Sequence, residues 1–227
     1  GGSFTRVNAM DEAFRDADIV YPKSWASFAA MERRTALYGR GDAEGRESSR
    51  SELSAMVEHL RGAPCVSLWV PFNEGWGQFD AKRAVELVRS IDGTRPIDHA
   101  SGWHDQQCGD FKSLHVYFRP YRFQPDKQGR AVVLSEFGGY GHRVEEHCWS
   151  DLEFGYKRCR TTGALMKAFE KLYRQQIVPA KQKGLCACVY TQLSDVEQET
   201  NGFVTYDREV VKFDVERVRA INALLQD

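Results

Sequence analysis

Apolar positions run almost unbroken from Cys65 to Phe72 (CVSLWVPF), which predicts a buried strand. The next stretch changes period. Between Phe79 and Ile91, residues Ala84, Val85, Leu87, Val88 and Ile91 recur at helical spacing, predicting a helix with one inner face. Short apolar runs at Pro96–Ala100 and Ser113–Tyr117 read as strands, and Ala131–Ser135 is the clearest strand of all. Thr162 to Lys183 carries Leu165, Ala168, Phe169, Leu172, Tyr173 and Ile177 on one helical face, with Pro179 as a predicted kink. Gly184 ends that helix, Leu185–Thr191 follows as a strand, and Val215–Leu225 closes as an amphipathic helix. Upstream, LSAMVEHL (53–60) predicts a helix capped by Ser51 and stopped by Gly62 and Pro64. Residues 22–38 can hold another helix, and the polar run GRGDAEGRESSR (39–50) reads as a surface loop.

Strands alternating with helices point to a parallel α/β architecture. Five strands are readable, and no phosphate-binding glycine fingerprint follows the first, which argues against a dinucleotide fold. The organisation read here is a loop-rich and helical segment over 1–50 and an α/β portion over 51–227.

Composition narrows the partners. The 227 residues hold 31 basic and 32 acidic side chains, so the formal net charge is −1 and there is no basic field for nucleic acid. No apolar run reaches the roughly 20 residues of a membrane span, and GGSFTRVNAM lacks the regions of a signal peptide. Neither nucleic acid nor membrane is therefore expected as a partner. The six cysteines (Cys65, Cys108, Cys148, Cys159, Cys186 and Cys188) form no CxxC pair and read as buried, reduced thiols. Zinc at Cys186, Cys188 and the His147-Cys148 pair, and calcium on the acidic 190–202 loop, are the metal readings considered. Neither has its ligand spacing, so no metal or cofactor is expected.

The candidate chemistry lies where two strands end. Glu74 follows VSLWVPFN and Glu136 follows AVVLS, each just ahead of a glycine-containing turn. Two carboxyl groups at the ends of parallel strands suit glycosidic cleavage. In retaining glycosidases one carboxyl protonates the leaving oxygen and the other attacks the anomeric carbon, across about 5–5.5 Å. The acid must stay protonated near neutral pH, which Phe72, Trp76 or the charge of Glu136 can favour. His115 and Tyr117 alternate on one strand and share a face, with a satisfied core histidine as the competing reading. Trp76 and Trp103 sit in loops after strands, where their rings suit sugar faces as well as ordinary packing. His142 and His147 follow the second carboxylate and suit substrate hydroxyls. Gln192 begins the acidic loop YTQLSDVEQETNG, most of whose acids read as structural.

WVPFNEGWGQFD (69–80), SGW (101–103), HVY (115–117), SEFGG (135–139) and YTQLSDVEQETNGFVTYDRE (190–209) occur in that order. Together they resemble glycoside hydrolase family 2, which contains β-galactosidases, β-glucuronidases and β-mannosidases. The resemblance runs from about residue 50 to the end. It implies a (β/α)8 TIM barrel, incomplete here, with strands four to eight present and strands one to three absent. It implies Glu74 as general acid/base at the end of strand four and Glu136 as nucleophile at the end of strand seven. It implies that Asn73 bonds the sugar 2-hydroxyl and that Tyr117 orients Glu136. Tyr190 and Thr191 stand where the family often presents a tryptophan to the sugar. A periplasmic or secreted setting, a carbohydrate substrate, an N-terminal remainder of the same enzyme and a homo-oligomer are further expectations. A family 5-like β-glycanase of the same barrel clan and an inactive barrel that only binds sugar are the alternatives.

Overall fold

The structure is a computed structural model that describes residues 43–226, with side chains from residue 45 onward. The helix predicted over 22–38 lies outside the described residues. The chain divides into two compact units, residues 1–111 and 112–227.

In the first unit, α1 spans Ala43–Leu60. This corrects the loop reading over 43–50, the part of 39–50 within the described residues, and the reading of Ser51 as a cap, because Ser51 lies inside the helix. The polar turn is held by side chains that a hydrophobic pattern does not register. Arg50 reaches Glu47 at 3.2 Å and Asp80 at 3.0 Å. β1 is only Phe72–Asn73, paired in parallel with β2, Ala100–Ser101. The predicted strand over 65–72 is therefore mostly irregular; before β1 a parallel bridge joins Trp69 to Ile97. α2 spans Ala81–Ile91 and buries Ala81, Ala84, Val85 and Val88. With Val57, Leu60, Val66, Trp69 and Ile97, the helix residues Val85 and Val88 form the core of the unit, to which burial of each large side chain adds about 1.5–3 kcal/mol. Asp92, just past α2, accepts from the Trp69 indole (2.9 Å), Thr94 N (2.9 Å) and Arg95 (2.7 Å). Burial pushes its carboxyl up, and these donors outweigh it and hold the carboxyl well below the usual range.

The second unit is built on a three-stranded sheet in the order β3-β4-β7. These strands are Phe111–Val116, Ala131–Gly138 and Leu185–Thr191. β4 and β7 are parallel, with Val132 opposite Leu185 and Gly138 opposite Thr191. β5 (Tyr140–Gly141) and β6 (Lys157–Arg158) form a separate parallel pair. α3, Thr162–Leu172, starts on a Thr161 side-chain cap that accepts from Ala164 N. A π-helical turn, Tyr173–Ile177, and then α4, Val178–Lys181, follow. The kink expected at Pro179 takes this form. Proline has no N–H for the carbonyl four residues earlier, and the wider turn just before it absorbs the mismatch. α5, Val215–Ala223, is capped by Asp214. The core of this unit gathers Leu134 and Phe137 of β4, Leu165 and Phe169 of α3, Ile177 and Ile221. The cysteines divide: Cys65 and Cys159 are buried, Cys186 is exposed, and Cys108, Cys148 and Cys188 are half-buried. No helix among the described residues is long and apolar enough to cross a membrane.

Candidate active site

Glu136 lies within β4, since the strand runs on to Gly138 and does not stop at Ser135 as the apolar run suggested. The residue is 6% exposed. Its Oε2 accepts a short hydrogen bond from the Tyr117 hydroxyl. His115 Nδ1, one step back along the same face of β3, is 3.5 Å from that oxygen. The Tyr117 oxygen also lies 3.0 Å from Thr191 Oγ1 at the end of β7. The phenol uses its hydrogen in the bond to the carboxylate, so Thr191 donates to the phenol oxygen. Burial, and then the negative charge of Glu136, push the Tyr117 pKa far up and keep the phenol a neutral donor. Three adjacent strands thus converge on one carboxylate.

The Tyr117 ring is held from its other side. Tyr156 stacks on it with centroids 3.7 Å apart and planes 5° from parallel. Tyr156 is brought there by its N–H bond to Gly139 O (2.9 Å). Gly139, at φ +61°, leaves space for the ring, since a Cβ there would meet Tyr156 Cδ2 at 2.3 Å.

Glu74 belongs to the first unit. It sits at φ +53°, in the left-handed region, directly after β1. An L-residue adopts this conformation at a cost of order 1–3 kcal/mol, and such costs concentrate at functional sites. The turn is held by Glu74 N to Ser101 O (2.7 Å) and Trp76 N to Asn73 O (3.0 Å). Asn73 Oδ1 is buried and has no hydrogen-bond partner among the described residues. Trp76 and Trp103 are exposed, at 60% and 57%.

The remaining sequence candidates are engaged elsewhere. His142 Nδ1 lies 2.9 Å from Cys159 O, and its carbonyl accepts from Lys212 Nζ at 3.1 Å. His147 Nδ1 is 2.7 Å from Asp207 Oδ2, and this hydrogen bond raises its pKa above the ordinary value. Gln192 gives its amide to Asn201 Oδ1 (2.8 Å) and Glu199 Oε2 (3.1 Å), which ties it into its own loop. Asp195 accepts from buried Lys212 at 2.6 Å and from Gly202 N at 2.7 Å. Burial draws the Lys212 pKa down, opposed by this carboxylate. Lys212 also donates to Thr200 O at 2.8 Å, so its ammonium is fully satisfied. Sequence reasoning missed Tyr156 and the part played by Thr191. Thr191 carries no motif of its own; the aromatic-glycine-aromatic run Phe154-Gly155-Tyr156 was the one signal for the stack.

The second unit's carboxylate, phenol and imidazole converge on the β3-β4-β7 sheet. The chain shares its fold with parts of bacterial β-glucuronidases. One from an uncultured Clostridium sp. aligns with TM-score 0.56 at 15% identity, over 82% of this chain and 37% of that one. The Faecalibacterium prausnitzii enzyme gives 0.53 at 16%, over 78% and 34%. The Parabacteroides merdae enzyme gives 0.52 at 14%, over 81% and 27%. The chain therefore spans about a third of the length of these relatives. At the level of sequence, a putative carbamoyltransferase, YgeW, of Escherichia coli O157:H7 and of strain K12 is 53% identical over 66 residues. That match covers 29% of this chain and 17% of YgeW. No family model matches the chain.

Proposed function

We propose that this chain carries the catalytic portion of a retaining β-glycosidase, with Glu136 as nucleophile and Glu74 as general acid/base. The observation that carries the reading is the Tyr117–Glu136 hydrogen bond, with His115 beside it. A buried carboxylate gripped by a neutral phenol is oriented for attack and is not a solvated surface charge. In the first step Glu136 attacks the anomeric carbon while Glu74 protonates the departing oxygen; a glycosyl ester forms and the aglycone leaves. In the second step Glu74 deprotonates water, which displaces the sugar and restores the Glu136 carboxylate. The Asn73 carbonyl oxygen, buried without a partner among the described residues, accepts from a sugar hydroxyl. Trp76 and Trp103 offer exposed ring faces to further sugar units.

Strands β1, β2, β3, β4 and β7 are read as strands four to eight of a (β/α)8 barrel whose remaining strands come from an N-terminal part of the same enzyme. The substrate is a terminal β-linked sugar. An inactive barrel that binds sugar without turnover is the second reading.

Incubating the chain with a panel of 2-fluoro glycosides and mapping the labelled peptide tests the nucleophile. A stable adduct is expected on the peptide holding Glu136. Label on any other peptide overturns the assignment, and sugar binding with no adduct selects the inactive barrel.

A further inference from the structure

A cleft of about 320 Å³ lies wholly within the second unit, beside the proposed nucleophile's support. Its walls include Tyr117, Tyr140 and Tyr156, with Phe118 at the rim, 81% exposed. Two cations line it, Arg119 and Lys157, and no aspartate or glutamate does. Neither cation has a carboxylate partner among the described residues. Lys157 Nζ stands 5.0 Å from the centre of the Tyr140 ring. Arg119 is fully outside the ion-pair networks that engage Arg130, Arg143 and Arg217. At the base, Gln176 uses its amide oxygen to accept from Tyr121 N at 2.7 Å, which leaves its NH2 group as a donor.

This combination is selective in chemical terms. A guanidinium, an ammonium and an amide donor around one small cleft create a positive potential with no built-in counter-charge. Arginine binds a carboxylate through two parallel hydrogen bonds. Aromatic walls favour a ring whose face can stack. The volume suits one ring with a short substituent.

We infer that this cleft binds a ring compound carrying a carboxylate, with the acid between Arg119 and Lys157 and the ring against the tyrosine wall. Two sources share that chemistry: an acidic sugar unit and an aromatic acid. The cleft shares Tyr117 with the Glu136 site, so a ligand here touches the ring whose hydroxyl orients the nucleophile. Binding itself needs no turnover and stands apart from the glycosidase reading.

Calorimetric titration of the whole 227-residue chain tests it. The probes are free glucuronate and benzoate, with methyl glucoside and benzyl alcohol as their neutral counterparts. Saturable binding of at least one carboxylate is expected, and its tighter partner names the source. The neutral counterparts should bind roughly tenfold more weakly or worse, the scale of one lost charge-assisted hydrogen bond. Arg119→Gln and Lys157→Gln should each weaken binding similarly, with unchanged thermal melting because both side chains are exposed. Glu136→Gln should leave binding intact while abolishing any glycosyl-enzyme, which separates this inference from the proposed reaction. Equal affinity for the neutral compounds, no saturable binding, or full affinity in the Arg119→Gln/Lys157→Gln double variant overturns it.

Discussion

The Tyr117 hydroxyl has one hydrogen to donate, and Glu136 accepts it as a hydrogen bond. Removing it leaves a buried carboxylate oxygen without that donor. Tyr117→Phe should lower kcat roughly 10- to 100-fold, the worth of a hydrogen bond to a charged group, and change KM little. Steady-state kinetics on an aryl glycoside checks this. His147 offers a pH test remote from Glu136. Its folded pKa is raised by Asp207, so the stability it contributes is complete below the unfolded value and fades as pH rises through the folded one. Asp207 works in the opposite direction. Thr205 Oγ, Glu209 N and His147 hold it at about 2, so its contribution is present above the ordinary carboxylate range and is lost as pH falls through about 2. Asp207→Asn should bring the His147 titration back toward its ordinary value, read by NMR of the imidazole. At this scale alternation put His115 and Tyr117 on one face, and the apolar run AVVLS marked Glu136. It could not assign Thr191, whose partner is 74 residues away in the chain.

Elements meet closely at Gly138, the last residue of β4. At φ +85° it suits glycine, and a Cβ would meet Tyr190 Cε2 at 2.2 Å. Gly138→Ala should cost about 2–4 kcal/mol, combining backbone strain with a clash against a packed ring. Urea unfolding measures it. The loop after β7 is joined to the loop after β5 by Lys212, which reaches Asp195, Thr200 and His142. Lys212→Met should cost about 3–5 kcal/mol because it strands a buried carboxylate, while the double variant with Asp195→Leu recovers part of the loss. Thermal melts of both variants decide this. Helices and the β7 strand were legible from periodicity, since one buried face imposes it. The extent of α1 was not, because ion pairs such as Arg50–Glu47 support a turn that has no apolar stripe. Strand β1 was over-read because a buried apolar run has no period to show where ladder pairing begins.

The whole second unit presents β7 at the outside of its described sheet, with Val189 42% exposed. An unpaired apolar strand is a template for association. The chain should self-associate with rising concentration, and Val189→Lys should suppress it in sedimentation velocity. A monomer at all concentrations counts against an open sheet edge in solution. By itself, the sequence determined the alternation of strands and helices, the parallel α/β class and a glutamate directly after β1. These are local facts, written in period, turn residues and short motifs. Only the tertiary structure decided what surrounds Glu136: a phenol just after β3, a threonine from β7 and a stacked tyrosine from the loop before β6. It also decided that His147 and Gln192 spend their polar atoms on other partners, and that Arg119 and Lys157 share an acid-free cleft. The reason is physical. Periodicity reports which face of an element is buried, whereas hydrogen-bond partners and charge balance depend on residues that only folding brings within a few ångströms.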